Sequence, residues 1–266
     1  NLRSGFRGKL AAVIPNLAAA GCALTEGTAW LDIAMREGRP QFRGPVRGAA
    51  LGCKGSGVGI AQPVLDTDMT LSAALDRWTG HVDLTAFSAK AADVTLVKPS
   101  GRIGFDGTAK QTRGQIDLAA AAVQRGDIRS ARTELTGAFQ VAPTRSGMDA
   151  RIDGALSANR LAMAGPDPLA GLRASTAGSP VAPLAIRFAD AVRATDGGGL
   201  PRAALRLAQR PGGGLAGQLF VDPYTARGAR LALEPVRFSA GAGGITRFTT
   251  AIRLDGPLDG GAVRGL

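Results

Sequence analysis

Histidine occurs once in this 266-residue chain, at His81, and cysteine twice, at Cys22 and Cys53. Together they fall short of the four ligands that a structural zinc site needs. A Ser-His-Asp arrangement would have to be built on His81, which sits on the polar side of an alternating stretch, so that chemistry has no foothold. GCKGSGVG (52–59) looks like a phosphate-cradling loop but lacks the Gly-Lys-Ser/Thr ending, and it reads as a turn between strands. Asp66 and Asp68 stand at strand spacing on one polar face, a general acid/base pair that no neighbour supports. These gaps speak against an enzyme, and neither a metal nor a cofactor is expected.

Aromatic residues make up only 5% of the chain, and Trp30, Trp78 and Tyr224 are its only girdle-type side chains. That argues against an outer-membrane barrel, which carries aromatic girdles at both interfaces. Long hydrophobic runs are missing too. The longest uncharged stretch, LAAVIPNLAAAGCALT (10–25), is interrupted by Pro15 and Asn16 and is too short to span a bilayer. No secretory signal is evident, and the start at Asn1 without Met reads as a piece of something longer.

Lysine is scarce as well, five residues against 27 arginines, within a net charge of +11. Such an excess raises nucleic-acid binding as a reading. The arginines are spread evenly, without a basic run or aromatics to stack on bases, and Arg with Ala and Gly also fits GC-rich codon usage. Attraction to anionic lipid headgroups ranks above nucleic acid. The two cysteines leave two readings open. A bridge would close about 30 residues, stabilise by roughly 3–4 kcal/mol on the loop-entropy model, and mark an oxidising compartment. Two buried free thiols are the alternative.

What the chain does have is glycine (38), scattered proline (15) and a period of two. Val82, Leu84 and Ala86 fall opposite His81, Asp83 and Thr85. Leu135, Phe139 and Val141 fall opposite Glu134, Thr136 and Gln140, and Ile152 and Leu156 opposite Arg151 and Asp153. The same split recurs through 248–254, with Phe248, Ile252 and Leu254 on one side. Strands with one apolar and one polar face predict an antiparallel sheet with one wet side. TGHVDLTA (79–86) returns as RGQIDLAA (113–120) after 34 residues, and RIDGAL (151–156) as RLDGPL (253–258) after three times that offset, which points to a repetitive, sheet-extending architecture. In GQIDLAAAAVQRGDIRSARTELTGAFQV (114–141) the alanines favour helix by propensity. The alternation of Ile116, Leu118, Ala120 and Ala122 and the turn signal Gly126-Asp127 favour two strands.

One segment keeps a helical period. In SPVAPLAIRFADAVRATDGGG (179–199), Val181, Leu184, Ala185, Phe188, Ala191 and Val192 form a stripe, with Ser179 as N-cap, Pro180 at the first position and Gly197–Gly199 as the stop. Shorter helices are expected near 166–174 and inside 8–20. The chain is divided into an N-terminal segment (1–45), part helical and continuing the sheet, a repetitive β-groove (46–160), a helical insertion lying on it (161–199), and a continuation of the groove (200–266).

The phrases GQIDLAAAAVQRGDIRSARTELTG, GSPVAPLAIRFADAVRAT and RLDGPLDGGAVRGL, with the many amphipathic strands, resemble the YdbH-type, AsmA-like proteins of Gram-negative bacteria, whose older family label is "dicarboxylate transport". The resemblance covers residues 46–266 and rests on patterns of residue class. It implies a mainly β fold, a long curved antiparallel sheet forming an open hydrophobic groove, with one or two short amphipathic helices. It further implies a periplasmic protein held to the inner membrane by an anchor outside this chain, carrying phospholipid towards the outer membrane, where a lipoprotein or other envelope protein would be its partner. Nucleic acid is not an expected partner.

On that reading the apolar strand faces line the groove: Val82, Leu84, Ile103, Phe105, Ile116, Leu118, Leu135, Phe139, Val141, Ile152, Leu156, Leu231, Leu233, Phe248, Ile252 and Leu254. Phe188 and Val192 of the helix would face inward as a plug or gate. The bland alternative for each is ordinary core, in a β-rich scaffold or β-solenoid-like surface protein whose apolar face packs on itself.

Overall fold

The structure is a computed structural model and describes residues 5–19, 22–53, 58–91, 93–126, 128–145, 147–160, 162–163, 170–194, 200–209, 214–226, 229–241, 244–258 and 261–264. β1 (Phe6–Ala19) and β2 (Cys22–Arg36) pair antiparallel along their whole lengths, from Phe6↔Met35 to Ala19↔Cys22. The chain then meanders in long strands, each broken once. The halves are β3 (Arg39–Arg47) with β4 (Ala50–Cys53), β5 (Val58–Ala61) with β6 (Val64–Leu71), β7 (Arg77–Thr85) with β8 (Ser88–Ala91), and β9 (Val94–Val97) with β10 (Ser100–Thr108). They continue as β11 (Gln111–Ala120) with β12 (Ala122–Arg125), β13 (Ile128–Ser130) with β14 (Thr133–Thr144), and β15 (Gly147–Ala158) with β16 (Ala162–Met163). Two helices follow, α1 (Ala170–Thr176) and α2 (Ala182–Ala194), then β17 (Leu200–Gln209), β18 (Leu215–Val221), β19 (Tyr224–Ala226), β20 (Ala229–Leu233), β21 (Val236–Gly241), β22 (Gly244–Thr249), β23 (Ile252–Leu258) and β24 (Gly261–Arg264).

The fold is mainly β and antiparallel, and most of it is one sheet. The long halves pair in the order β2-β3-β6-β7-β10-β11-β14-β15-β17-β18-β21-β22, and the short halves in the order β2-β4-β5-β8-β9-β12-β13-β16. Strands β19, β20, β23 and β24 form a separate four-stranded sheet. The 34-residue offset thus has a structural meaning: it carries β7 onto β11, two strands on and pointing the same way.

The breaks line up into a crease. Glu26, Gln62, Lys98 and Arg160 take left-handed φ of 49°, 50°, 47° and 48° on it. Hydrogen bonding continues across the line: the N–H groups of Gln62, Phe87, Lys98 and Ala121 donate to the carbonyls of Ala49, Ala61, Phe87 and Val97 at 2.8, 3.1, 3.0 and 3.0 Å. The register is the same on both sides of the line, with Arg47↔Val64 and Ala50↔Ala61, or Thr85↔Ser100 and Ser88↔Val97, so the breaks interrupt the strands without slipping the ladder. β1 stays in one register with β2 across the line, Ile14↔Gly27 on one side of Pro15 and Asn16↔Thr25 on the other. Pro63, just past the crease, is the largest fully buried side chain among the described residues.

Two local expectations are corrected. The helix expected inside 8–20 is strand β1. Ala and Leu favour a helix there by only tenths of a kcal/mol each, whereas β2 offers a complete partner for the backbone. The stretch 179–199 does form a helix, but Ser179 does not cap it. Its Oγ donates to the Thr176 carbonyl at 2.7 Å and closes the end of α1 instead, beside Gly178 at φ 74°. Helix α2 packs on α1 and approaches β23. Among its described side chains Ala185 and Ala189 are buried, while Val181, just before the helix, and Ile186 are exposed.

The described residues hold little conventional core. Six of the ten buried apolar residues are alanines. The accessible surface, 16570 Å², compares with roughly 10,800 Å² for a compact monomer of this mass.

Candidate functional site

Directly paired residues in an antiparallel ladder share a face, so the register decides which side chains meet. Starting at the crease, the first row is Leu65, Leu84, Gly101, Leu118, Leu135, Leu156 and Ala203. The second is Thr67, Val82, Ile103, Ile116, Gly137, Gly154, Leu205, Leu219 and Val236. The third is Met69, Gly80, Phe105, Gly114, Phe139, Ile152, Leu207, Gly217 and Phe238. The fourth, at the hairpin tips, is Leu71, Trp78, Gly107, Thr112, Val141 and Ala150. Among the eleven residues predicted for the groove between 82 and 156, all lie in these rows. Ile116 is buried and the other ten are half-buried.

Aromatics and glycines interlock within a row. A Cβ on Gly114 would stand 2.7 Å from Cε1 of Phe139, and one on Gly217 would meet the ring of Phe238. Each ring therefore lies over its neighbour's missing side chain and seals the backbone from that face.

The period reading missed the other side of the crease. There Leu24, Leu51, Ile60, Ala89, Leu96 and Val123 form one row, and Cys22, Cys53, Val58, Ala91 and Val94 the next. The apolar parity switches at every crossing: even-numbered in β7 and odd in β8, odd in β6 and even in β5. At Glu26, Gln62 and Lys98 a left-handed residue interrupts the alternation at the crossing. Cys22 and Cys53 are directly opposite and bridged, with sequence separation 31, which settles the choice left open between thiols and bridge.

Of the remaining predicted residues, Leu233 of β20 is half-buried, and Leu231 pairs with Leu254 and Leu233 with Ile252 in the four-stranded sheet. Phe248 pairs with Phe238 at the far end of the large sheet. Phe188 and Val192 lie on α2. The side chains of Leu231, Phe248, Ile252, Leu254, Phe188 and Val192 lie outside the described residues.

The opposite face is polar and salt-bridged across strands. Arg43 pairs with Asp68, Arg102 with Asp83 at 2.7 Å, and Arg206 with Asp153 at 3.4 Å. The hydrogen bond from Arg102 is the main cause that holds the Asp83 carboxyl below its ordinary 3.8. A carboxylate with a lowered folded pKa adds stability above its unfolded pKa and loses it as pH falls through the folded one. The pair is exposed and screened. Asp83→Asn is therefore expected to leave the melting midpoint at pH 7 nearly unmoved and to narrow the difference between melts at pH 7 and pH 3, as followed by circular dichroism. His81 stands on this face as expected, 3.9 Å from Asp83, and Asp66 and Asp68 stand there too.

A cavity of about 580 Å³ also opens on the polar face. Gly104, Gln115, Ala138 and Asp153 make one of its rows and Asp106, Arg113, Gln140 and Arg151 the next. It is a dip over two small residues, walled by long charged ones. Among the described residues no group of three or more His, Cys, Asp or Glu could hold a metal ion, and no helix is long and apolar enough to cross a membrane.

The main contacts between elements follow the hydrogen-bonded ladders, apart from α1 on α2 and the approaches of α2 to β23 and β18 to β20. Comparison with known proteins finds no matching family model, no matching curated protein and no matching solved structure.

Proposed function

We propose that the apolar face of the large sheet is a hydrophobic groove for phospholipid acyl chains, and that this chain is a segment of a bridge-like protein passing lipid between membranes. The observation that carries the reading is four register-matched rows of largely apolar, half-buried side chains on one face of the large sheet. Rows of six to nine strands at about 4.8 Å spacing, standing about 6.8 Å apart, give a footprint of roughly 700 Å², part of it covered by the half-burial of its side chains. The largest apolar patch of an ordinary monomer is about 300–600 Å². Along the strands the rows extend over ~20 Å, enough for an acyl chain as long as half of a ~30 Å bilayer core. Each methylene laid on such a face contributes about 0.8 kcal/mol.

Repetition serves transfer. Successive strands offer near-equivalent rows, so a chain can move from one to the next with no deep minimum between them. The bridged Cys22–Cys53 pair fits an oxidising compartment, in keeping with a periplasmic protein. The resemblance to YdbH-type, AsmA-like proteins points the same way and supplies the inner-to-outer direction.

Protein secreted to the periplasm and purified without detergent is expected to carry phospholipid, visible as adducts in native mass spectrometry and recovered by organic extraction. Lipid-free protein with an unchanged circular-dichroism spectrum would reject the groove and leave a scaffold whose apolar face packs on itself.

A further inference from the structure

We propose that the hairpin-tip edge of the large sheet is a headgroup rim that holds anionic phospholipid, the phosphate at the tips and the acyl chains running along the strands towards the crease. The proposal rests on the groove reading and adds to it an orientation and a lipid class.

Four turns on this edge carry basic residues. The β2–β3 turn has Arg36 and Arg39, β6–β7 has Arg77, β10–β11 has Lys110, and β14–β15 has Arg145. All five are exposed, and among the described residues none of them is in an ion pair. Three carboxylates share the edge, and one of them, Asp149, as near the tip as Arg77, lies 3.8 Å from Arg151. Asp76 accepts the Ser72 hydroxyl at 2.6 Å and belongs to its turn, and Glu37 sits in the first turn between Arg36 and Arg39. Consecutive tips are two strands, or about 10 Å, apart, so the cations form a line. Guanidinium groups bind phosphate oxygens through a two-pronged fork and lysine binds them as a point charge. Trp78, next to Arg77, ends the fourth apolar row, where an aromatic ring with one polar atom suits a border between tail and headgroup.

The opposite edge also carries charge, but it cannot serve the same lipid. Arg125 is committed to Asp93 at 2.8 Å, leaving Lys90 and Arg129 among the described cations of β8, β12 and β13. The decisive quantity is depth. From that edge to the crease there are two apolar rows, ~7 Å, against the ~20 Å behind the basic tips. An acyl chain needs ~15 Å, so a lipid with its phosphate at the tips keeps its tail on one flat wing.

The test uses protein incubated with phosphatidylcholine vesicles holding a trace of acyl-labelled phosphatidylglycerol or acyl-labelled phosphatidylcholine, with label on the protein counted after vesicle removal. Each cation near an anionic headgroup changes binding about fivefold. The native protein is expected to take phosphatidylglycerol at least fivefold better at low salt, with the ratio falling as salt rises. Replacing Arg36, Arg39, Lys110 and Arg145 together with Gln is expected to bring the ratio near one and leave phosphatidylcholine uptake unchanged. Replacing Lys90 and Arg129 with Gln is expected to preserve the ratio. A ratio that survives in the quadruple variant, falls equally in the Lys90/Arg129 variant, or is absent from the native protein overturns the rim while leaving the groove standing. Native protein that takes up neither lipid overturns the groove itself.

Discussion

Phe139→Asp is expected to reduce co-purified phospholipid at least tenfold while leaving the β-sheet circular-dichroism spectrum in place. Phe139 stands in the third row between Gly114 and Ile152, and its ring covers the Gly114 backbone. The substitution removes that cover and sets a carboxylate in the path of any chain lying on the row. Moving a hydroxyl-sized polar group from water to hydrocarbon costs about 4–8 kcal/mol, and an ionised carboxylate more. A lipid tail would have to desolvate the new carboxylate or detour around it. The fold should survive, because the ladder is backbone hydrogen bonding and the site is only half-buried. Leu84→Arg, in the row nearest the crease, tests the same idea with the opposite charge. Phe139→Ala is the control: it keeps the face apolar and should retain most of the lipid. Full loading of both charged variants, measured by extraction and mass spectrometry, would show that these rows are not where lipid lies.

The alternation of apolar and polar residues made the sheet and its inner face legible, because a strand buried on one side writes its burial into every second position. That is how Val82, Ile103, Ile116 and Leu118 could be placed on one face from the sequence. The crease was not legible. A left-handed residue usually advertises itself as glycine, and here the turn-making positions are Glu26, Gln62, Lys98 and Arg160. The Gln62-Pro63 and Lys98-Pro99 steps were the available signal, together with the change in which positions are apolar on the two sides of each break. Leu51, Ile60, Leu96 and Val123 were missed because the alternation is interrupted at the breaks, and a period counted straight through them loses the short halves. The 8–20 segment failed for a different reason. Its alanines and leucines satisfy a helix locally, and only the partner strand 22–36, distant in any local window, decides for a sheet. The rim is a tertiary property altogether. Arg36, Lys110 and Arg145 are far apart in sequence and fall on one edge only once the hairpins are stacked.

Reduction of the Cys22–Cys53 bridge, or the double replacement Cys22→Ala/Cys53→Ala, is expected to remove about 3–4 kcal/mol from the N-terminal end of the sheet. The bridge joins β2 to β4 and closes 31 residues, so its main effect is to restrict the unfolded chain. In a compact domain that loss would lower the midpoint of the whole transition. Here each strand contacts mainly its two ladder neighbours, and stability is close to a sum of local terms passed along one dimension. Loss of the bridge should therefore act on β1 to β5 and fade with distance. Hydrogen exchange in the presence and absence of reductant is the measurement. Amides of residues 6–61 should lose protection by two to three orders of magnitude, the equivalent of that energy, while amides of β14 and β15 keep theirs. An even loss along the whole sheet would mean the fold unfolds as one unit. No loss near the bridge would mean the end strands are held by pairing alone. On the groove reading, a fold that loosens at one end while its middle keeps its hydrogen bonds would let cargo enter at that end without unravelling the rest.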